Sequence, residues 1–384
     1  MKKKVEGRKV FNIIYIIAIF AVLVSNFFSR GLSVLLYLKP DYSFSGCTEI
    51  HFINVGQGDA IAIKFSTGKV MLIDTGTSEY RKKLTNYLDN IILDGSDKID
   101  FMLLTHIDTD HSGNAEYILE NYDVDVLYRP KIYSIYEDTT STSTCVLYDN
   151  LISIAMDKNI TMIYNEAGVL LNECETSMLW LSPIDLDFND SIDSNEYSPI
   201  IRLEYNGHSA LLTGDAGISH EYDVIGCYSE DILDVDILKL GHHGSYNSTS
   251  ENFLSATTPM FACVSVGENT YGHPANITLE RILNYDQENN TNLFSNLYST
   301  LEDGNVIFEL GWDISVKSIA NIDDYAFVSY YIYSLTAILL LAFFMLKPYI
   351  KVWKKNLRFV IQNKKFKKHL ELEKQQKMQE NQKE

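Results

Sequence analysis

Paired cysteines are absent from this chain. The five present, Cys47, Cys145, Cys174, Cys227 and Cys263, stand singly with no C-x-x-C pair, which argues against both a disulfide framework and a structural zinc knuckle. Charge is absent from two long apolar runs. Val10 to Phe28 has nineteen uncharged residues behind Lys2, Lys3, Lys4, Arg8 and Lys9, and Tyr325 to Leu346 has twenty-two ahead of Lys347, Lys351, Lys354 and Lys355. Each is long enough to span a bilayer. The segment Ser25-Asn26-Phe27-Phe28-Ser29-Arg30 offers no small-x-small cleavage site, so the first run is expected to be a retained signal anchor.

Basic residues are scarce between the two runs. Residues 1–40 and 347–384 hold 19 of the 32 Lys and Arg but only 5 of the 51 Asp and Glu, so the centre of the chain has 13 basic against 46 acidic residues, a charge of −33. The flanking lysines predict a cell-membrane protein crossing twice, with a basic N-terminus (1–9), a helix over 10–28, a helix over 325–346 and a basic tail (347–384). Both termini would be cytoplasmic and the central domain outside, the bilayer itself being the first partner. The tail, rich in Lys, Gln and Glu, reads as a solvated or surface-lying helix near anionic lipid.

From about residue 47 the pattern turns to short apolar strands punctuated by turns. Glu49 to Val55, Ala60 to Phe65 and Lys69 to Asp74 read as an antiparallel meander. A helix-compatible stretch (78–93), a buried strand (Ile99 to Thr105) and a helix opening at Gly113 follow. Beyond a Ser/Thr-rich segment (136–144), strands recur at 177–181, 198–205 and 209–213, with Asn206-Gly207 as a hairpin signal between the last two. The series closes with strands and helices at 235–240, 250–256, 260–266, 277–284 and 305–310. Two halves of like kind predict sheet-on-sheet packing with outer helices, an α/β domain over 47–311.

His106, Asp108, Asp110 and His111 fall within six residues, after the apolar strand and before a helix. Two imidazoles and two carboxylates so crowded would repel and desolvate one another unless a cation sat between them. Two other strand ends deliver suitable groups: Thr213-Gly214-Asp215, and Gly241-His242-His243-Gly244-Ser245. Asp59 and Asp74 occupy turns and read as caps of backbone amides or as carboxylates orienting a ligand histidine. His208, in the Asn206-Gly207 turn, reads as exposed.

The run His106-Ile107-Asp108-Thr109-Asp110-His111 resembles the H-x-H-x-D-H signature of the metallo-β-lactamase superfamily, in the form H-x-D-x-D-H. Together with Asn54-Val55-Gly56-Gln57-Gly58-Asp59-Ala60, Ile73-Asp74-Thr75-Gly76, Thr213-Gly214-Asp215, Gly241-His242-His243-Gly244-Ser245 and Asn269-Thr270-Tyr271-Gly272-His273-Pro274, it is similar to the C-terminal hydrolase domain of ComEC-type competence proteins. The resemblance implies a four-layer αβ/βα sandwich, a metal-centred cleft at the strand ends, and phosphodiester hydrolysis.

The chain departs from the signature in two ways. Asp108 stands where many superfamily members have histidine, and no histidine lies between His111 and His208; Asn195-Glu196-Tyr197-Ser198 is the nearest counterpart, similar to the N-x-x-S element of the ComEC group. Oxygen ligands in place of nitrogen make Mn²⁺ a rival to Zn²⁺. And one apolar run on each side cannot line a pore, so a separate membrane-channel partner would be needed for DNA uptake.

The expected chemistry is metal-assisted hydrolysis at a site of two divalent ions, which lower the pKa of water and offset charge on the developing oxyanion. His106, Asp108, Asp110, His111, Asp215 and His242 are the expected ligands, with His243 in place of His242 as the open alternative. His243 or His273 would protonate the leaving group, and Asp110 is the residue whose loss should abolish activity. The substrate divides three ways. DNA is favoured by the motifs but opposed by the −33 charge, since free duplex is bound through Lys and Arg. A small or cell-wall-linked ester or phosphodiester is the second reading, and an idle membrane scaffold the third.

Overall fold

Strands buried on both faces read as continuous apolar runs, and three such runs open the domain. β1 (Thr48–Phe52), β2 (Ile61–Lys64) and β3 (Val70–Ile73) are buried at every position and pair antiparallel. The computed structural model describes residues 42–132, 146–184 and 193–319. The two uncharged runs, the basic N-terminus, the tail and the 136–144 segment therefore lie outside the described residues. Among the described residues, no helix is long and apolar enough to cross a membrane.

After β3 the chain crosses through helix α1 (Arg81–Tyr87) to β4 (Lys98–Leu103), and the pairing turns parallel. Helix α2 (Ala115–Asn121), β5 (Asp123–Arg129), helix α3 (Val146–Asp157) and β6 (Thr161–Tyr164) continue the parallel half. The second sheet repeats the plan. β7 (Leu170–Glu173), β8 (Thr176–Trp180), β9 (Ile201–Tyr205) and β10 (His208–Leu212) are antiparallel. Helix α4 (Ile218–Cys227), β11 (Ile237–Lys239), helix α5 (Glu251–Thr257), β12 (Phe261–Val264), helix α6 (Asn276–Asn289) and β13 (Leu297–Ser299) follow, with β10 to β13 parallel.

β14 (Asn305–Leu310) and β15 (Ile314–Ile319) return to the first sheet, whose order is β15-β14-β1-β2-β3-β4-β5-β6. The second runs β13-β12-β11-β10-β9-β8-β7. β15 carries the sheet past residue 311, the boundary expected from sequence.

The sheets pack face to face on Ile50, Phe52, Ile63, Met71, Trp180, Leu203 and Leu212. Leu84, Leu88, Ile118 and Leu119 cover the outer face of the first sheet, while Val224, Phe253, Leu254 and Ile282 cover that of the second. The result is the helix–sheet–sheet–helix layering expected of the fold. Both parallel halves aim the C-terminal ends of their strands at one edge of the sandwich, and there the motif loops meet.

Alternation along β1 puts Ile50 and Phe52 between the sheets and Glu49 and His51 under the outer helices. His51 Nε2 donates to Glu49 Oε2 at 3.0 Å, and its Nδ1 accepts from the Tyr87 hydroxyl at 2.9 Å. Burial holds His51 below the ordinary imidazole value. For Glu49 burial acts upward, but the hydrogen bonds from His51 and Tyr42 outweigh it and hold the carboxyl below its usual range. Both shifts have the same consequence. The folded protein binds these protons more weakly than the unfolded chain, so stability is expected to fall as pH drops below about 6.5, first through His51 and then, below about 4.3, through Glu49. Denaturant titrations of the wild type and His51→Gln at stepped pH check this: between about pH 6.5 and pH 5 the wild type should lose more stability than the variant, and equal declines would contradict it.

Candidate active site

His111 stands at the centre. The loop after β4 closes as a single helical turn, Thr109–Ser112, which turns the fully buried His111 side chain back between the sheets. Its Nδ1 lies 2.7 Å from Asp74 Oδ2. Asp74, at the end of β3 with φ 56°, also accepts from the Thr105 amide (2.8 Å) and the Thr105 hydroxyl (2.7 Å). Asp74 thus does what its turn position suggests: it satisfies a backbone amide and orients a histidine.

The hydrogen-bond network assigns the tautomers. Thr105 Oγ1 gives its one proton to Asp74, so toward His106 Nδ1, 3.0 Å away, it accepts. His243 Nδ1 donates to the Ser265 carbonyl at 2.8 Å. His111 Nδ1 donates to Asp74. Each imidazole is therefore tied from behind through Nδ1, and each presents Nε2 forward, the arrangement that prepares histidine for a metal. His106 Nε2 is buried with no hydrogen-bond partner. His111 Nε2 and His243 Nε2 face each other at 3.3 Å.

Carboxylates complete the cluster. Asp215 Oδ1 lies 3.2 Å from His111 Nε2 without an aligned donor, and Oδ2 lies 3.5 Å from His243 Nε2. Asp110 Oδ2 is 3.4 Å from His243 Nε2. Two sets of ligand atoms, His106–His111–Asp215 and Asp110–His111–His243, each fall within 4.8 Å. Unpartnered buried nitrogen and oxygen lone pairs pointing at one another are costly unless protons or cations lie between them. The residues present therefore fit a divalent-metal site.

The charge states follow. Burial and the neighbouring His111 push His106 down to about 4, so it is neutral at physiological pH. For His111 and His243 burial acts the same way, but the carboxylates win: Asp215 and Asp74 raise His111 well above its ordinary value, and Asp215, Asp110 and Asp59 raise His243. Burial opposes ionisation of Asp110, yet His243 and His111 hold it down to about 2, and His111 and His243 keep Asp215 well below the usual carboxylate range. Without a cation, His111 and His243 hold their protons more tightly than free imidazoles do. Loading should therefore release protons, and apparent affinity should rise with pH. Calorimetry in buffers of differing ionisation enthalpy checks this; a binding heat independent of buffer would contradict it.

The other expected residues sit as follows. Asp108 lies at the margin, its side chain 44% exposed and its Oδ2 3.8 Å from His106 Nε2, with the Ser194 hydroxyl on Oδ1. His243, not His242, enters the buried cluster. His242 is 30% exposed, 3.6 Å from Asp215 Oδ2, and its ring stands edge-on to His273 at 5.7 Å. Both residues of this turn have positive φ, and Gly241 and Gly244 flank it. His273 stands outside the cluster, in ring contact with His242 and Tyr271. His208 is at the far end of β10, partly buried against Trp312 and Asp236.

Two contributors stand outside the expected ligand and acid set. Ser198 Oγ accepts from the Asp215 amide and meets His106 Nδ1, each at 3.2 Å, so the Asn195–Ser198 segment reaches the site through its serine. Lys239, at the end of β11, is fully buried. Its Nζ lies 2.7 Å from Asp59 Oδ2 and donates to the Gly214 carbonyl at 2.9 Å. Burial would neutralise Lys239, but Asp59 and Asp215 raise it above its ordinary value. The Asp59 loop is held against the metal loop by the Asp59 amide on the Asp110 carbonyl (3.1 Å), a contact only glycine permits at position 58, where a Cβ would lie 2.3 Å from that carbonyl.

The two-sheet layering and the His/Asp cluster at the strand ends are similar to those of the metallo-β-lactamase superfamily. Residues 53–143, which hold Asp59, Asp74 and the whole 106–111 loop, match the family described as Metallo-beta-lactamase superfamily. The resemblance to ComEC-type competence proteins is likewise borne out. ComE operon protein 3 of Bacillus subtilis is 29% identical over 282 residues, covering 66% of this chain and 33% of that protein. Recombination protein 2 of Haemophilus influenzae is 28% identical over 245 residues (62% and 26%), and competence protein ComA of Neisseria gonorrhoeae 25% over 237 residues (60% and 28%). The chain thus spans about a third or less of these curated relatives. Among solved structures, the metallo-beta-lactamase fold protein YhfI from Bacillus subtilis aligns with 68% of this chain and 100% of its own at 11% identity, with a TM-score of 0.42.

Proposed function

We propose that the protein is a membrane-anchored phosphodiesterase or nuclease using two divalent ions, Zn²⁺ or Mn²⁺. The observation that carries the reading is the convergence of three Nε2 atoms, each tied from behind through Nδ1, with the carboxylates of Asp110 and Asp215. His106 and Asp215, with Asp108 at their margin, would hold one ion; Asp110, His111 and His243 would hold the other, with Asp215 between the two. Such ions supply Lewis acidity and an activated water. With His243 committed to the cluster, His273 is the residue of the expected pair left free to protonate a leaving group, and His242 joins it at the open side.

The competence and recombination proteins among the relatives support DNA as substrate. The −33 charge of the centre of the chain favours a small or cell-wall-linked diester instead, although bound cations offset part of that repulsion. The apolar runs at 10–28 and 325–346 and their flanking lysines support two membrane helices with the domain outside, and a separate channel protein would be the partner in any DNA uptake.

The full-length protein, purified in detergent, should be assayed on DNA, bis-p-nitrophenyl phosphate and a lactam chromogen. Turnover of the small diester without DNA cleavage rejects the nuclease; no turnover of any substrate and no bound metal rejects the enzyme. Protease added outside intact cells should cleave the central domain, and complete protection would overturn the orientation.

A further inference from the structure

A row of rings leads out of the cluster. His106 and His111 have centroids 4.1 Å apart, His111 and His243 5.2 Å, His243 and His242 6.1 Å, His242 and His273 5.7 Å, and His273 and Tyr271 5.9 Å. These are the spacings of interacting aromatic groups. The row starts at a fully buried imidazole and ends at Tyr271, which is 76% exposed.

The loop carrying Tyr271 is fixed. Asn269 Oδ1 accepts from the amides of Gly272 (2.9 Å) and His273 (3.1 Å), while its Nδ2 donates to the carbonyls of Gly267 (2.9 Å) and His273 (2.8 Å). One end rests on the Gly56-Gln57 turn, where a Cβ on Gly267 would lie 2.3 Å from the Gly56 carbonyl carbon. The other is tied to the His242-His243 turn by the Ala275 amide on the Gly244 carbonyl, at 2.8 Å. A braced loop that holds a large ring in water, two ring contacts from a residue 3.6 Å from Asp215, has not hidden that ring for stability.

We propose that Tyr271, backed by His273, is a specificity-determining platform on which a planar group of the substrate stacks while its phosphate lies at the Asp215–His111 cluster. The substrate class is then a phosphate ester carrying an unpaired heteroaromatic base, held by its π-face. This suits an acidic domain, because stacking needs no basic groove. The inference rests on the phosphodiesterase reading for the role of the cluster, but its test is a binding measurement and does not require turnover.

Thymidine 5′-monophosphate and deoxyribose 5-phosphate, which share the phosphate and differ by the base, should be titrated into the full-length, Mn²⁺-supplied protein. The wild type should bind the nucleotide about tenfold or more tightly, the range expected for one stacked base. Tyr271→Ala should bring the nucleotide to the level of the sugar phosphate and leave the sugar phosphate unchanged, while Tyr271→Phe should keep the preference. Equal binding of the two ligands by the wild type, binding of neither, or equal loss of both in Tyr271→Ala overturns the platform. A base preference that depends on Tyr271 in a protein that cleaves no diester would instead keep the platform and reject the phosphodiesterase reading.

Discussion

Asp110→Ala is expected to lower hydrolysis of bis-p-nitrophenyl phosphate by about a thousandfold while leaving the domain folded. Asp110 contributes a carboxylate held down to about 2, hence charged across the whole working range, 3.4 Å from His243 Nε2. Its removal takes one ligand from the set that also contains His111 and His243. Metal-borne stabilisation of transition-state charge amounts to several kcal/mol, and about 4 kcal/mol corresponds to three orders of magnitude in rate. The side chain is 32% exposed, and the contact of this loop with the Asp59 loop runs through the Asp110 main chain, so the thermal midpoint should move little. Asp110→Asn should be nearly as inactive, because shape without charge does not hold a cation. Turnover within a few-fold of the wild type would contradict the site.

Lys239→Met is expected to have the largest effect on stability. Its ammonium is buried against Asp59 at 2.7 Å and takes the Gly214 carbonyl, so one group joins the loop after β10 to the Asp59 loop of the other sheet. Removing one partner of a buried ion pair leaves the other charge uncompensated and costs about 3–5 kcal/mol. For a domain of this size that lowers the thermal midpoint by on the order of 10 °C. Replacing both charges, Lys239→Met with Asp59→Asn, should recover much of the loss, because neither residue is then left charged in the interior. A midpoint unchanged in Lys239→Met, or a double variant no better than the single, would show that the pair is not what joins the loops.

The parts legible in sequence are those written in local order. Strands β1 to β4 and β8 to β12 carry apolar runs bounded by turn residues, and the 106–111 loop packs four candidate ligands into one turn. β5, β6 and β7 are less legible: β5 alternates exposed acids with apolar residues, and the other two are short, half-exposed edge or near-edge strands whose pairing is decided by tertiary contacts.

The site has the same division. Asp110, His111 and Asp215 follow from spacing at strand ends. The order of His242 and His243 does not, because the positive φ of both residues sends neighbouring side chains in different directions, and that is a property of the turn, not of the residue types. Lys239 is hidden for a related reason. Nothing within the strand of Ile237, Leu238 and Lys239 marks the lysine as buried; the carboxylate arriving from the other sheet and the Gly214 carbonyl account for its burial.

Metal content measured by elemental analysis on the purified full-length protein and three variants tests the central claim most directly. The account predicts two divalent ions per chain in the wild type and in His242→Ala, and at most one in His243→Ala and in His111→Ala, each of which removes an imidazole from the set that contains Asp110. A wild type that takes up no divalent ion, or a His111→Ala protein that still holds two, would contradict it.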